Sequence, residues 1–218
     1  TVRTVLNEVR SEGDAAVKRY EEKFDKVTLS GLQVSEEEIK EARELVSENL
    51  KQAIRIAKAN IEKFHTSQRF IGQKVETTSG VTCWQKAVAI EKVGLYIPGG
   101  TAPLFSTVLM LAVPAHIAGC KEIVLCTPPN REGKVHPAIL FAAETAGVSK
   151  IFKAGGIQAI AAMAFGTQSI PKVDKITGPG NIFVALAKKA CFGYVSIDSI
   201  AGPSEILVIA DETANPRY

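Results

Sequence analysis

Apolar positions recur at helical spacing from Val2 to Phe64, and in short blocks separated by glycine and proline from residue 91 on. Val2, Val5, Leu6 and Val9 share one helical face, and after Gly13-Asp14 the residues Val17, Tyr20 and Phe24 continue such a face. Ser35 followed by Glu38 is a capping box. It predicts one long helix with Ile39, Ala42, Val46, Leu50, Ala53, Ala57, Ile61 and Phe64 on its inner side, and Lys and Glu on the solvated side. Residues 68–90 read as extended, with Gly72 and Gly80 as turn points and residues 81–90 as strand material.

From residue 91 the pattern is strand then helix, repeated. Strands are predicted at 93–97, 123–126, 150–153 and 173–176, with two more near 195–197 and 206–209. Between them fall an apolar helix after Ser106 that stops at Gly119, a helix over about 137–146 closed by Gly147, an alanine-rich helix from Gly155-Gly156 to Phe165, and a helix over 182–191. Short apolar strands alternating with helices imply an α/β fold, a parallel sheet with helices on both faces, preceded by a helical segment. Composition divides the chain at about the same place. Residues 1–90 carry 29 of the 49 formal charges but four of the 17 glycines, so a change of architecture is expected near residue 90.

In a parallel sheet the ligand lies beyond the carboxyl ends of the strands. The turns at that edge carry glycine: Gly99-Gly100 after Tyr96, Gly155-Gly156-Ile157-Gln158, Gly178-Pro179-Gly180-Asn181, and Ala201-Gly202-Pro203-Ser204-Glu205. Such turns admit close backbone approach, and a helix N-terminus behind one favours an anion. Neither G-x-G-x-x-G nor G-x-x-x-x-G-K-[ST] occurs in these turns, so no standard nucleotide fingerprint supports the reading. The titratable inventory is thin. His65, His116 and His136 have no metal-ligand spacing and read as structural or capping residues. Asp174, Asp198 and Glu205 are the carboxylates nearest the glycine turns, and no nucleophile–base pair is visible.

Charge narrows the partners. Twenty-six basic residues against 23 acidic ones, with no basic cluster interleaved with aromatics, argue against nucleic acid. No apolar run reaches the roughly 18–20 residues that span a bilayer, and no signal peptide opens the chain, so a soluble cytoplasmic protein is expected. Cys83, Cys120, Cys126 and Cys191 lack C-x-x-C spacing and read as buried free thiols.

The strings Val93-Gly-Leu-Tyr-Ile-Pro-Gly-Gly-Thr-Ala-Pro-Leu-Phe-Ser-Thr, Gly155-Gly-Ile-Gln-Ala-Ile-Ala-Ala, Val173-Asp-Lys-Ile-Thr-Gly-Pro-Gly-Asn and Ala201-Gly-Pro-Ser-Glu closely resemble the histidinol dehydrogenases in order and spacing. The likeness runs from Glu12-Gly13-Asp14-Ala15 to Asp211. It implies a homodimeric, zinc-dependent oxidoreductase of histidine biosynthesis that takes L-histidinol through the aldehyde to L-histidine while reducing NAD. It also implies a pair of incomplete Rossmann-like domains. Residues 1–95 would be the helical segment and the start of the first, continued by 205–218, and residues 96–204 the second. Tyr96, Gln158 and Asn181 match positions that contact NAD, and Ser204 matches one that contacts substrate.

The family's zinc ligands and its Glu-His proton-transfer pair lie on segments that have no counterpart here, so no catalytic or metal residue is assigned. At Asn215-Pro216 an N-cap and a first helical residue open a helix that Tyr218 cuts short, so the chain reads as roughly the N-terminal half of the enzyme, inactive alone. Two other readings stay open: a dehydrogenase on the same scaffold for another polar alcohol, and a non-catalytic fragment that binds a nucleotide or a partner.

Overall fold

The computed structural model describes residues 1–99, 102–200, 205–215 and 217. Two short helices, α1 (Val2–Glu12) and α2 (Asp14–Tyr20), lead into a single π-helical turn at Glu21–Asp25. The expected long helix is two: α3 (Glu36–Leu45) and α4 (Glu48–Thr66). Val46 between them is extended, at ψ 129°, and Ser47 caps the second helix by accepting from the Leu50 N–H at 3.4 Å. A serine able to take an orphan amide competes with helix continuation at that point, and the break re-aims the inner face. Ala42, Val46 and Ile54 are consequently buried, whereas Ala53 and Phe64 from the expected stripe are exposed.

The antiparallel hairpin β1 (Lys74–Thr78) and β2 (Val81–Trp84) turns at Ser79-Gly80, and strand structure ends at Trp84 rather than running to residue 90. The strand–helix repeat then follows as β3 (Lys92–Tyr96), α5 (Phe105–Ile117), β4 (Glu122–Thr127), α6 (Pro137–Thr145), β5 (Lys150–Lys153), α7 (Gly156–Phe165), β6 (Lys175–Thr177), α8 (Ile182–Cys191) and β7 (Ser196–Ile197). Ser106 lies inside α5 rather than ahead of it. β3 begins before residue 95 and ends at Tyr96, so a division at 95/96 falls within this strand.

The five parallel strands are ordered β5-β4-β3-β6-β7. Alternation along them sorts two cores. Val93, Leu95, Ile97, Leu125 and Ile151 face α3, α4, α5 and α6, while Tyr96, Val124, Cys126 and Phe152 face α1, α2, α7 and α8. The N-terminal helices are thus part of the sheet's covering layers: α1 lies across α7 and α8 and buries Val5, Leu6 and Val9. Each such side chain contributes about 1.5–3 kcal/mol of transfer free energy.

Residues 206–209 form no strand. Their side chains are 78–90% exposed, since neither edge of the sheet receives them and an apolar strand without neighbours has nothing to stabilise it. The expectation of buried thiols holds for Cys126 and Cys191; Cys120 is half-buried and Cys83, on the exposed hairpin, is open to solvent. No helix among the described residues is long and apolar enough to cross a membrane.

Candidate active-site cleft

Strand order reverses beside β3: the chain steps outward to β4 and β5, then returns to place β6 and β7 on the other side. Connections leaving β3 and β6 therefore diverge onto opposite faces and open a crevice at their carboxyl ends. A cleft of about 1280 Å³ occupies that place, above the roughly 300–1,000 Å³ of pockets for drug-sized ligands. Tyr96, Thr127, Pro128, Gly156, Gln158 and Asn181 are among its lining residues.

Three of the residues expected at a cofactor are thus brought together. Tyr96 ends β3 with its ring buried, and its hydroxyl accepts from the Gly156 N–H at 3.0 Å. Burial pushes the phenol up to about 12, so it stays protonated at neutral pH. Gln158 sits in the first turn of α7 and is fully buried; its Nε2 donates to Glu21 Oε1 at 2.7 Å. Asn181 is the N-cap of α8, and its Oδ1 accepts from the Phe183 and Val184 N–H groups at 3.0 and 3.1 Å. The N-termini of α7 and α8 both open at the cleft and present positive partial charge there. Ser204 lies outside the described residues, as do Gly100 and Gly202. Glu205 is exposed and stands apart from the cleft lining.

The loop after β6 is held from below. Lys188, 2% exposed, donates to the Gly178 carbonyl at 2.9 Å and forms an ion pair with Asp198, whose Oδ2 accepts from the Gly178 N–H at 2.8 Å. Burial alone would raise the Asp198 carboxyl, but Lys188 and the Gly178 amide outweigh it and hold the group below its usual range. Asp174 serves the sheet instead, where its Oδ2 accepts from the Lys92 N–H at 3.0 Å and ties the start of β3 to the approach of β6. His136 caps α6, with Nδ1 accepting from the Ala138 N–H at 3.2 Å.

Glu21 was not singled out from sequence, and it lies at the centre of the buried polar groups behind the cleft. Its Oε1 accepts from the Gly155 N–H at 2.8 Å as well as from Gln158, while its Oε2, Gln158 Oε1 and Thr127 Oγ1 have no partner among the described residues. Burial pushes Glu21 up to about 7, opposed by those two donors and aided by Asp25; burial raises Asp25 as well. The signal was present. Positions 17, 20, 21 and 24 form one i, i+3, i+4, i+7 stripe, and a carboxylate stands where that stripe calls for an apolar residue.

A glutamate whose folded pKa exceeds its unfolded value binds more protons folded than unfolded between the two, so stability falls as pH rises through that interval. Stability is therefore expected to decline between about pH 4.5 and pH 7, and Glu21→Gln, which carries no titrating proton, should flatten the decline. Denaturant midpoints measured across this range check it. An unchanged slope in the variant would show that other groups set the dependence.

Comparison with known proteins covers the whole chain. A family model described as histidinol dehydrogenase matches residues 1–218. The histidinol dehydrogenase of Bacteroides thetaiotaomicron is 70% identical over an alignment of 219 positions that covers all of this chain and 51% of that protein; that of Escherichia coli K12 is 54% identical over 221 aligned positions that cover all of this chain and 50% of that protein. The crystal structure of histidinol dehydrogenase from Elizabethkingia anophelis superposes with a TM-score of 0.96 at 56% identity, covering 99% of this chain and 50% of that one. The chain spans about half the length of the curated relatives it matches. With its full length matched and its fold shared with a solved member, the chain belongs to the histidinol dehydrogenase family.

Proposed function

We propose that this chain forms the nucleotide-binding side of an NAD-dependent oxidoreductase of histidine biosynthesis that converts L-histidinol to L-histidine through the aldehyde. The observation that carries the reading is the cleft at the strand-order reversal, where Tyr96, Gln158 and Asn181 meet in a family member. NAD fits what is there: the volume suits a ligand larger than one small metabolite, two helix N-termini favour its pyrophosphate, and buried polar atoms next to the cleft lack partners among the described residues. When bound, NAD accepts the hydride.

The chain's own residues bind and orient. Asn181 fixes the start of α8, Tyr96 holds the turn at Gly156 in place, and Pro128 and Phe183 supply apolar walls that exclude water. Ser204 is assigned to the substrate on its motif. Zinc does not fit the same test: no group of three or more His, Cys, Asp or Glu side chains among the described residues could hold a metal, so no step is routed through it here. We further propose a homodimer and a cytoplasmic setting, the latter on the free state of all four cysteines. The exposed apolar residues 206–209 are assigned to a strand of the first domain, begun by residues 1–95 and completed by the remainder of the longer relatives.

Titration with NAD tests the reading, with saturable binding expected. Asn181→Asp keeps a good N-cap but places a negative charge at the pyrophosphate end, so unchanged stability with at least roughly tenfold weaker binding is expected. Asn181→Ala should lose the affinity and also about 1 kcal/mol of stability, through the cap. Absence of saturable NAD binding to the wild-type chain would favour a structural remnant.

A further inference from the structure

We propose that Glu21 is the positioning residue of the cleft, a single carboxylate oxygen that sets both the Gly155-Gly156 turn and the Gln158 side chain. The NAD arm of the test rests on the reading above; the structural arm does not. The π-helical turn at Glu21–Asp25 widens the end of α2 and sends the Glu21 side chain under the start of α7, 134 residues away in sequence. There Oε1 collects two donors from different parts of the turn: the Gly155 N–H at 2.8 Å and Gln158 Nε2 at 2.7 Å.

Gly155 is the N-cap of α7, a helix with no side-chain cap of its own, so Glu21 supplies the acceptor that this terminus lacks. The next residue, Gly156, donates to the Tyr96 hydroxyl at 3.0 Å. Two successive amides of the turn are therefore pinned from opposite sides, one by the helical segment and one by the sheet. Among the described residues the Gln158 side chain has no hydrogen bond except that to Glu21, and its Oε1 is unpartnered and buried beside the cleft. The orientation of a side chain lining the cofactor cleft is thus decided by a residue that does not line it.

The acceptor, and not the charge, is what the geometry requires. Glu21→Gln retains an oxygen at the Oε1 position, whereas Glu21→Met keeps the side chain's length and offers none. Glu21→Asp keeps the charge but falls one methylene short of the two donors. Two measurements on the complete chain decide: amide hydrogen exchange at Gly155 and Gly156 without ligand, and NAD titration. Roughly tenfold or more faster exchange at Gly155 and roughly tenfold or more weaker NAD binding are expected for Met and Asp, with values within about twofold of wild type for Gln.

Wild-type exchange at Gly155 in the Met or Asp variant, or a Gln variant as impaired as Met, would overturn the proposal. If the Met variant does not fold, the Asp and Gln pair carries the same comparison. If the wild-type chain does not bind NAD, the functional reading fails while Gly155 exchange still judges Glu21.

Discussion

Gly178→Ala is expected to cost about 3–5 kcal/mol of stability and to abolish the proposed NAD binding. Gly178 follows β6 directly, with φ at +131°, a backbone conformation that an L side chain rarely adopts. A Cβ built there would lie 2.1 Å from the Tyr96 carbonyl oxygen and 3.0 Å from its carbonyl carbon. Both obstacles are backbone atoms of the central strand, so no rotamer change relieves the clash. Either the β3–β6 pairing at Leu95 and Thr177 opens, or the loop swings away from the Lys188–Asp198 support. Each route also displaces Asn181 from Tyr96, which couples the stability loss to the cleft. Denaturant unfolding measures the first effect and NAD titration the second. An alanine variant with the wild-type midpoint would show that the loop adapts without moving the strand.

Lys188→Met is expected to cost about 2–4 kcal/mol. The ammonium is nearly inaccessible and serves two acceptors, the Gly178 carbonyl and the Asp198 carboxylate. Removing it leaves that carbonyl without its Lys188 donor and Asp198 as an unpaired charge. A fully buried pair broken in this way costs about 3–5 kcal/mol, and the partial exposure of Asp198, 32% of its side chain, lets water offset some of it. The double variant Lys188→Met with Asp198→Asn removes the uncompensated charge, keeps an acceptor for the Gly178 N–H, and should recover part of the loss; a double-mutant cycle reads the coupling.

A pH signature accompanies the pair. Asp198 titrates below its ordinary value of 3.8 when folded, so its contribution is present above that value and is lost as pH falls through the lower folded pKa. The Met variant should show a smaller acid-side loss. If the two single variants simply add, the ion pair is incidental to the fold.

The strand–helix repeat from residue 92 was legible because each strand is short, apolar and closed by glycine or proline, and because helix starts carry their own chemistry. The turn ending at Asn181 illustrates this: a helix is expected from residue 182, and Asn181 caps it by accepting the Phe183 and Val184 amides. The capping box at Ser35 and Glu38 likewise formed in full. Legibility failed where two local preferences compete or where a partner is needed. Ser47 divides the predicted long helix because its own cap competes with continuation. Residues 206–209 have the composition of a strand, but a strand is completed by its neighbours, and none pairs with them among the described residues.

By itself the sequence determined the fold class, the turns carrying Gly99, Gly156 and Gly180 that line the cleft, and the family. Those features are local: periodicity, turn chemistry and motif spacing act within a few residues. Tertiary structure decided which turns meet and what holds them. Only the strand order β5-β4-β3-β6-β7 puts Tyr96 beside Asn181 across one crevice.

Only packing also explains the two charges at apolar stripe positions, Glu21 among Val17, Tyr20 and Phe24, and Lys188 among Val184, Ala187 and Cys191. Periodicity shows that such a residue faces inward, and a buried charge must then find a partner. Its identity is set by neighbouring elements, Gly155 and Gln158 for Glu21 from 134 and 137 residues away, and Gly178 and Asp198 for Lys188 from the ends of β6 and β7, so it exists only once the sheet has formed.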